Sequence, residues 1–494
     1  MSTSCNSLLS RCLLTLLAIS FLSAIVQAEP AGQPNIVMLF ADDMGIGDVG
    51  CYNAASKTAT PNLDRLAESG MRFTQAYAAA AVCVPSRYSL LTGRYPFRGS
   101  PLRWSTHPTI PEGTPTLGSV LQDQGYQTAC IGKWHAGFDG GVGLGEKPLT
   151  GGPPDRGFDF FFGQHGSLDQ PPYFYIQDRQ ATQPATGTTP DHQETGHSVI
   201  YQGKFWRAGK IAPDFRHEEA LERYATEAIR YLQSQGKKQA DPARRPFFLY
   251  LALTAPHGPW LPSKEFRGRS QAGPLGDFVM QVDDVVGRVL ATLDKAGLRE
   301  NTLVLFSSDN GPLWFPPDVE KYGHDSSGGF RGRKGDIWDG GIRMPLIARW
   351  PGHIRAGSVN PHLCGLVDVM ATFAEAAGGK LPAEAGVDSH SLATTLWGDG
   401  SDPPPRQELL LQSLGAGDLA IREGDWKYIP WIGSGGFLTK PRRVQPQPGE
   451  PTAQLYNLAS DPGEQTNLFA QHPEIADRLA KRLAAIRASQ RTRP

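Results

Sequence analysis

The stretch Asn35–Asp43 reads NIVMLFADD, an apolar run closed by two adjacent aspartates. A short run of β-branched and long aliphatic side chains is the pattern of a strand buried on both faces, and the carboxylates fall just past its C-terminal end. The same pairing recurs along the chain. QTACIG (Gln127–Gly132) is followed by Lys133-Trp134-His135, PFFLYLALT (Pro246–Thr254) by Ala255-Pro256-His257, and TLVLFSS (Thr302–Ser308) by Asp309-Asn310-Gly311. Helical patterns lie between these runs at Pro61–Gly70, Thr116–Gly125, Glu219–Gln235 and Phe278–Gly297. Such alternation predicts an α/β fold on a large, mostly parallel sheet sandwiched by helices. Open sheets of that kind hold ligands at the C-terminal ends of their strands, so the four polar ends are expected to meet in one crevice.

The 494 residues suffice for one large domain, expected over 29–381, and a smaller C-terminal subdomain over 382–494. From about Pro382 short strand-like pieces such as GDWKYIPW predict an antiparallel sheet, and Pro473–Ser489 predicts a closing helix. The Pro-, Gly- and Thr-rich stretch Gly140–Gly196 reads as long surface loops. With 48 Lys and Arg against 49 Asp and Glu, the chain offers no global field for nucleic acid or an anionic membrane, so anion recognition must be local. Residues 1–28 carry one Arg, an apolar run from Leu13 to Val26 and the small-residue ending Val26-Gln27-Ala28. That is the pattern of a cleaved secretory signal; no later stretch is apolar enough to span a bilayer, and the mature protein is expected to be exported.

Removal of the signal leaves Cys51, Cys83, Cys130 and Cys364, too dispersed for a disulfide framework or a zinc site. Cys83 stands two residues before Pro85 in AVCVPSRYSLLTGR (Ala81–Arg94), at a helix start where free N–H groups favour anions. Asp42, Asp43, Asp309 and Asn310 together make a hard, anionic oxygen cluster that suits calcium or magnesium, calcium being favoured by so large a protein-derived donor set. Taken singly, each is also an ordinary turn or cap sequence. A thiolate facing that cation is a poor chemical match, so the position of Cys83 asks for oxygen instead of sulfur.

The segment from Cys83 through Pro85, Ser86 and Arg87 to Arg94 resembles the signature of the type I sulfatases, in the alkaline-phosphatase-like superfamily. ADDMG, GKWH, TAPHGP, SSDNG, GRKGDIWDGGIRMP and LYNLASDPGEQTNL resemble further family segments, in family order, and extend the likeness from Asn35 to Leu468. The resemblance implies that Cys83 is oxidised by a maturation enzyme to formylglycine, whose hydrated form offers a gem-diol nucleophile. It also implies that Asp42, Asp43, Asp309, Asn310 and the modified Cys83 bind one calcium ion. Arg87 would hold the hydroxyls, Lys133 and Lys334 the sulfate oxygens, His135 would orient the gem-diol, and His257 would protonate the leaving alcohol.

Loops rich in aromatic and hydrogen-bonding side chains flank the expected crevice, with His165, Asp169, Trp260 and Trp314 as candidate substrate contacts. Such surfaces suit sugar rings, although aromatics also pack loops onto a domain. The pattern is most similar to the arylsulfatase A and N-acetylgalactosamine-6-sulfatase branch. It implies a pocket for terminal or short sulfated saccharides and small aryl sulfates, in a periplasmic, extracellular or lysosome-like compartment. Two other readings use the same residues: a phosphate or phosphonate monoester hydrolase of that superfamily, and a binding protein that keeps the fold without the chemistry.

Overall fold

The structure, a computed structural model, describes residues 32–99, 107–191, 206–398, 403–415 and 417–493. The expected signal segment lies outside them. From Gln33 onward the chain forms one compact unit. Its centre is a ten-stranded sheet in the order 358–360, 71–73, 346–349, 302–308, 35–42, 247–256, 127–133, 160–164, 176–177, 180–181. The five long strands from 302–308 to 160–164 run parallel to one another, and antiparallel pairs begin at 346–349 and at 176–177.

All eight residues of Asn35–Asp42 and all ten of Phe247–Pro256 are buried, as the unbroken apolar runs require. Helices Ala220–Gly236 and Gly273–Lys295 pack on each other and on the Phe247–Pro256 strand through Leu221, Tyr224, Ala228, Val282, Val286 and Val289. Pro61 opens the helix Pro61–Glu68, where its missing N–H costs nothing. The helix Cys83–Thr92 stops at Gly93, whose φ of 60° ends it in a left-handed turn.

A four-stranded antiparallel sheet, 408–412, 419–423, 426–429 and 454–457, follows, with the helix Pro473–Ala488 against it. Its core continues into Tyr77, Ala79, Ala81, Ile337 and Trp338 of the larger part. The stretch expected as surface loops, Gly140–Gly196, departs from that expectation. It contributes the strand Phe160–Gln164 to the central sheet and buries Phe161, Phe162, Tyr173, Phe174 and Tyr175. A five-residue strand among glycines and prolines is too short to show a period, yet burial of its aromatics outweighs the weak local preference.

Candidate active site

The parallel strands end together, as expected. Ala41 pairs with Ser308 and Lys133 with Gln164, so the residues just beyond those positions project from one edge of the sheet. Between Phe40 and Asp42 the register against the neighbouring strand slips from Ala252 to Pro256, and that irregularity brings Pro256 opposite Asp42. The chain then bends at Asp43, whose φ of 63° is rare for a non-glycine residue. Three contacts hold the bend. Asp43 N donates to Asp309 Oδ1 at 3.1 Å, Met44 N to Ser308 Oγ at 2.9 Å, and Asn310 Nδ2 to Asp43 Oδ1 at 2.6 Å.

His135 arrives by another route. Beyond Lys133 the pairing with the neighbouring strand continues through Trp134 N to Gln164 O at 3.0 Å and His135 N to His165 O at 2.9 Å. His135 itself has φ of 55°, and both its ring nitrogens are buried without a hydrogen-bond partner. Strained backbone carrying an unsatisfied side chain is a cost that functional sites commonly carry. Burial, reinforced by the Lys133 and Arg87 charges, holds its pKa well below the ordinary histidine value, so the imidazole is neutral.

Three carboxylates and three cations interlock in the buried centre. Lys133 Nζ lies 2.5 Å from Asp42 Oδ2, Lys334 Nζ lies 2.7 Å from Asp43 Oδ2, and Arg87 Nη2 lies 2.9 Å from Asp309 Oδ2. Arg87 is fully buried, with Asp42 Oδ2 at 3.6 Å and the Phe40 ring centroid at 5.2 Å. Burial pushes the Asp42 carboxyl up, but Lys133, His257, Arg87 and Lys334 outweigh it and hold the group below the ordinary carboxylate range. Burial and the Asp42 charge push Asp309 upward, against Arg87 and Lys133. Burial lowers Lys334, but the Asp43 charge leads a larger effect that keeps it a firm cation.

Cys83 begins its helix beside this cluster and is half-buried. Burial raises its thiol pKa despite Lys133 and Lys334, so the residue as encoded is a protonated thiol and a weak nucleophile. His257 Nδ1 donates to the Gly258 carbonyl at 2.5 Å, which leaves Nε2 facing the cluster 3.8 Å from Asp43 Oδ2. Lys334 is anchored by its own loop, because Lys334 N donates to Pro312 O and Gly335 N to Ala81 O. That loop therefore touches the chain on both sides of the centre, just past Asn310 and just before Cys83.

The residues present fit a hard divalent cation. Asp42 Oδ1 and Asn310 Oδ1 are buried oxygens without hydrogen-bond partners, and Asp42, Asp43 and His257 can bring ligand atoms within 4.8 Å of one another. Orphaned buried oxygens are costly unless something accepts their lone pairs, and an oxygen set with this charge suits calcium or magnesium.

The candidate substrate residues sit differently. His165 is buried with Nε2 2.9 Å from Pro172 O, and Trp260 and Trp314 pack together at 6.0 Å, with Trp314 Nε1 donating to His324 O. Asp169 pairs with Arg207 at 2.6 Å. Three neighbours escaped the sequence reading. Tyr250 lies 3.5 Å from Arg87 Nη1, Ser308 braces Met44, and Asp48 joins His324 and Ser326 behind the Asp43 bend. Only Ser308, directly before Asp309, carried a positional signal.

A family model described as Sulfatase matches residues 34–379. An N-acetylgalactosamine-6-O-sulfatase of Bacteroides thetaiotaomicron is 31% identical, over 92% of this chain and 93% of that protein. Arylsulfatase A of Homo sapiens is 34% identical, over 96% of this chain and 90% of its own. A solved Bacteroides thetaiotaomicron structure, titled for the metabolism of multiple glycosaminoglycans, superposes with a TM-score of 0.79 at 30% identity. It covers 92% of this chain and 100% of that one.

Proposed function

Since the chain belongs to the sulfatase family and is an enzyme that hydrolyses sulfate esters, we propose that it does so at the Cys83 centre, on sulfated saccharides and small aryl sulfates. The observation that carries this reading is the buried set of Asp42, Asp43, Asp309 and Asn310. Two of its oxygens are unpartnered, and Arg87, Lys133, Lys334 and His257 surround it. Asp42, Asp43, Asp309, Asn310 and the modified Cys83 would hold one calcium ion, which supplies Lewis-acid stabilisation of charge on sulfate oxygens. Formylglycine made from Cys83 supplies the nucleophilic hydroxyl.

The chain's own groups do the rest. Lys133 and Lys334 bring two ammonium groups within reach of an anion at this edge, and Arg87 lies fixed between the carboxylates and the start of the Cys83 helix. Attack at sulfur adds negative charge to the ester oxygens, so fixed cations aimed there favour the transition state over the ground state. The neutral His135 ring, with two open nitrogens, orients the nucleophilic hydroxyls. His257, with Nδ1 tied to Gly258, presents Nε2 to donate a proton to the departing alcohol. His165, Trp260 and Trp314 shape the wall through packing, and Asp169 offers a polar edge to the sugar. The chain is exported and matured by a formylglycine-generating enzyme; among the described residues no helix is long and apolar enough to cross a membrane.

Mass spectrometry of the Cys83 peptide from active enzyme tests this. An aldehyde that reacts with hydrazides is expected, and an unmodified thiol in fully active protein would refute the mechanism. Sulfate release from mono-, oligo- and polysaccharides beside an aryl sulfate tests the substrate class, and activity confined to the aryl compound would exclude carbohydrates.

A further inference from the structure

Two residues past the Asp43 bend, Gly45 N donates to Asp48 Oδ2 at 2.8 Å. The other oxygen of that carboxylate, Oδ1, accepts from His324 Nε2 at 2.8 Å and from Ser326 Oγ at 2.6 Å. The Asp48 and His324 side chains are both fully enclosed. The second ring nitrogen is engaged as well, with Lys57 N 3.3 Å from His324 Nδ1. A backbone N–H can only donate, so Nδ1 accepts and the ring proton stands on Nε2, directed at Asp48. His324 O accepts from Trp314 Nε1 at 2.8 Å. One buried histidine therefore joins the turn after Asp43 to segments far along the chain, Asp48 itself being 276 residues away.

The turn has little freedom to shift alone. Gly47 N donates to Ser326 O at 3.0 Å, and a Cβ built on Gly45 would stand 1.9 Å from that same oxygen. Asp43, with its φ of 63°, keeps a conformation that persists where the surroundings over-determine it. An enclosed carboxylate needs its donors, and Asp48 has three: one from the turn it holds and two from the 324–326 segment. Withdrawing the imidazole donor leaves Oδ1 short of a partner and frees the carboxylate that fixes Gly45. We infer that His324, acting through Asp48, is a positioning residue for the cation centre: it fixes the turn that sets the Asp43 carboxylate and thereby raises affinity for calcium. The inference rests on the cation centre proposed above. Hydrogen-bond partners behind a metal site's ligands commonly change its affinity by about 10–100-fold, and the route through a backbone N–H places His324 at the lower end.

The test titrates calcium calorimetrically into chelator-treated full enzyme, comparing wild type with His324→Gln, His324→Asn and Ser326→Ala. Gln keeps an N–H near the Nε2 position for Asp48, whereas Asn keeps an acceptor near the Nδ1 position for Lys57 N. His324→Asn should therefore bind calcium about tenfold more weakly than wild type, His324→Gln within about threefold, and Ser326→Ala between the two. Sulfate release at limiting calcium should fall in His324→Asn and return to near the wild-type rate as calcium is raised, a rescue that a damaged fold would not allow. Ser326→Ala withdraws a donor from the same oxygen without touching the ring, so it decides the matter if His324→Asn does not fold. Calcium affinity unchanged in His324→Asn and Ser326→Ala would overturn the inference and leave the proposed function standing. His324→Gln as weak as His324→Asn would also overturn it, because the donor to Asp48 would then not be what matters. Wild-type enzyme that binds no calcium would overturn the cation centre and this inference together.

Discussion

His257 is the residue whose role can be separated from that of its neighbours. Its Nδ1 is committed to Gly258 O, so in the proposed role of general acid only Nε2 is free to give a proton to the leaving group. A leaving group that departs unaided as a stable phenolate needs no proton, whereas a sugar alkoxide does. His257→Ala is therefore expected to slow a sugar sulfate by about 10²–10⁴-fold, the usual reach of general acid catalysis, and an activated aryl sulfate by much less. Equal losses in kcat on both substrates would remove His257 from this role. The residue was picked out in sequence by its place after an apolar run. Which of its nitrogens faces the site depended on the bend at Gly258 and was not legible there.

The edge that gathers Asp42, Lys133 and Asp309 also depends on how closely three strands approach one another. Gly132 has φ of 109°, and a Cβ built on it would stand 1.9 Å from Ala252 O of the adjacent strand; one built on Gly163 would stand 1.8 Å from Gly132 O. Lys133 and the path to His135 follow directly. A side chain at 132 meets backbone on a conformation that L residues rarely adopt, so Gly132→Ala should cost about 3 kcal/mol or more. Calorimetry should show a melting temperature several degrees lower, with activity lost through displacement of Lys133. An unchanged melting temperature and rate would mean that the strands relax apart without harm. The alternation of apolar runs foretold two of these strands, Gln127–Lys133 and Phe247–Pro256. Their closeness, like the hidden strand Phe160–Gln164, follows from contacts between segments remote in sequence.

The C-terminal sheet is tied to the larger part of the fold through a buried ionic cluster. Lys427 Nζ lies 2.9 Å from Asp339 Oδ1 and 2.8 Å from Glu464 Oε1, while Tyr77 OH donates to Asp339 Oδ2 at 2.6 Å. Next to it, Gln412 exchanges backbone hydrogen bonds with Ala79 and Ala81, and Ser413 Oγ donates to Gly335 O. The sheet thus braces both the approach to Cys83 and the loop that carries Lys334. Replacing Lys427 by Met leaves two carboxylates buried around an apolar side chain, a change expected to cost about 3–5 kcal/mol. Chemical denaturation should register that loss, and catalytic efficiency should fall as the Lys334 loop loosens. A denaturation midpoint close to wild type would show that the cluster does not join the two parts.

Sequence alone determined the α/β class, the meeting of the strand ends and the identity of the polar residues there, because a sheet buried on both faces demands unbroken apolar runs and polar side chains must follow them. The cysteine before Pro85, followed by Ser86 and Arg87, marked the position proposed above for the nucleophile. Tertiary structure decided the pairing of Lys133 with Asp42, Lys334 with Asp43 and Arg87 with Asp309, and left Asp42 Oδ1 and Asn310 Oδ1 without partners. Partners such as these lie dozens to hundreds of residues apart, and no local pattern encodes them. They follow from which side chains the packed core brings together and from the cost of burying each charge, which only the assembled fold decides.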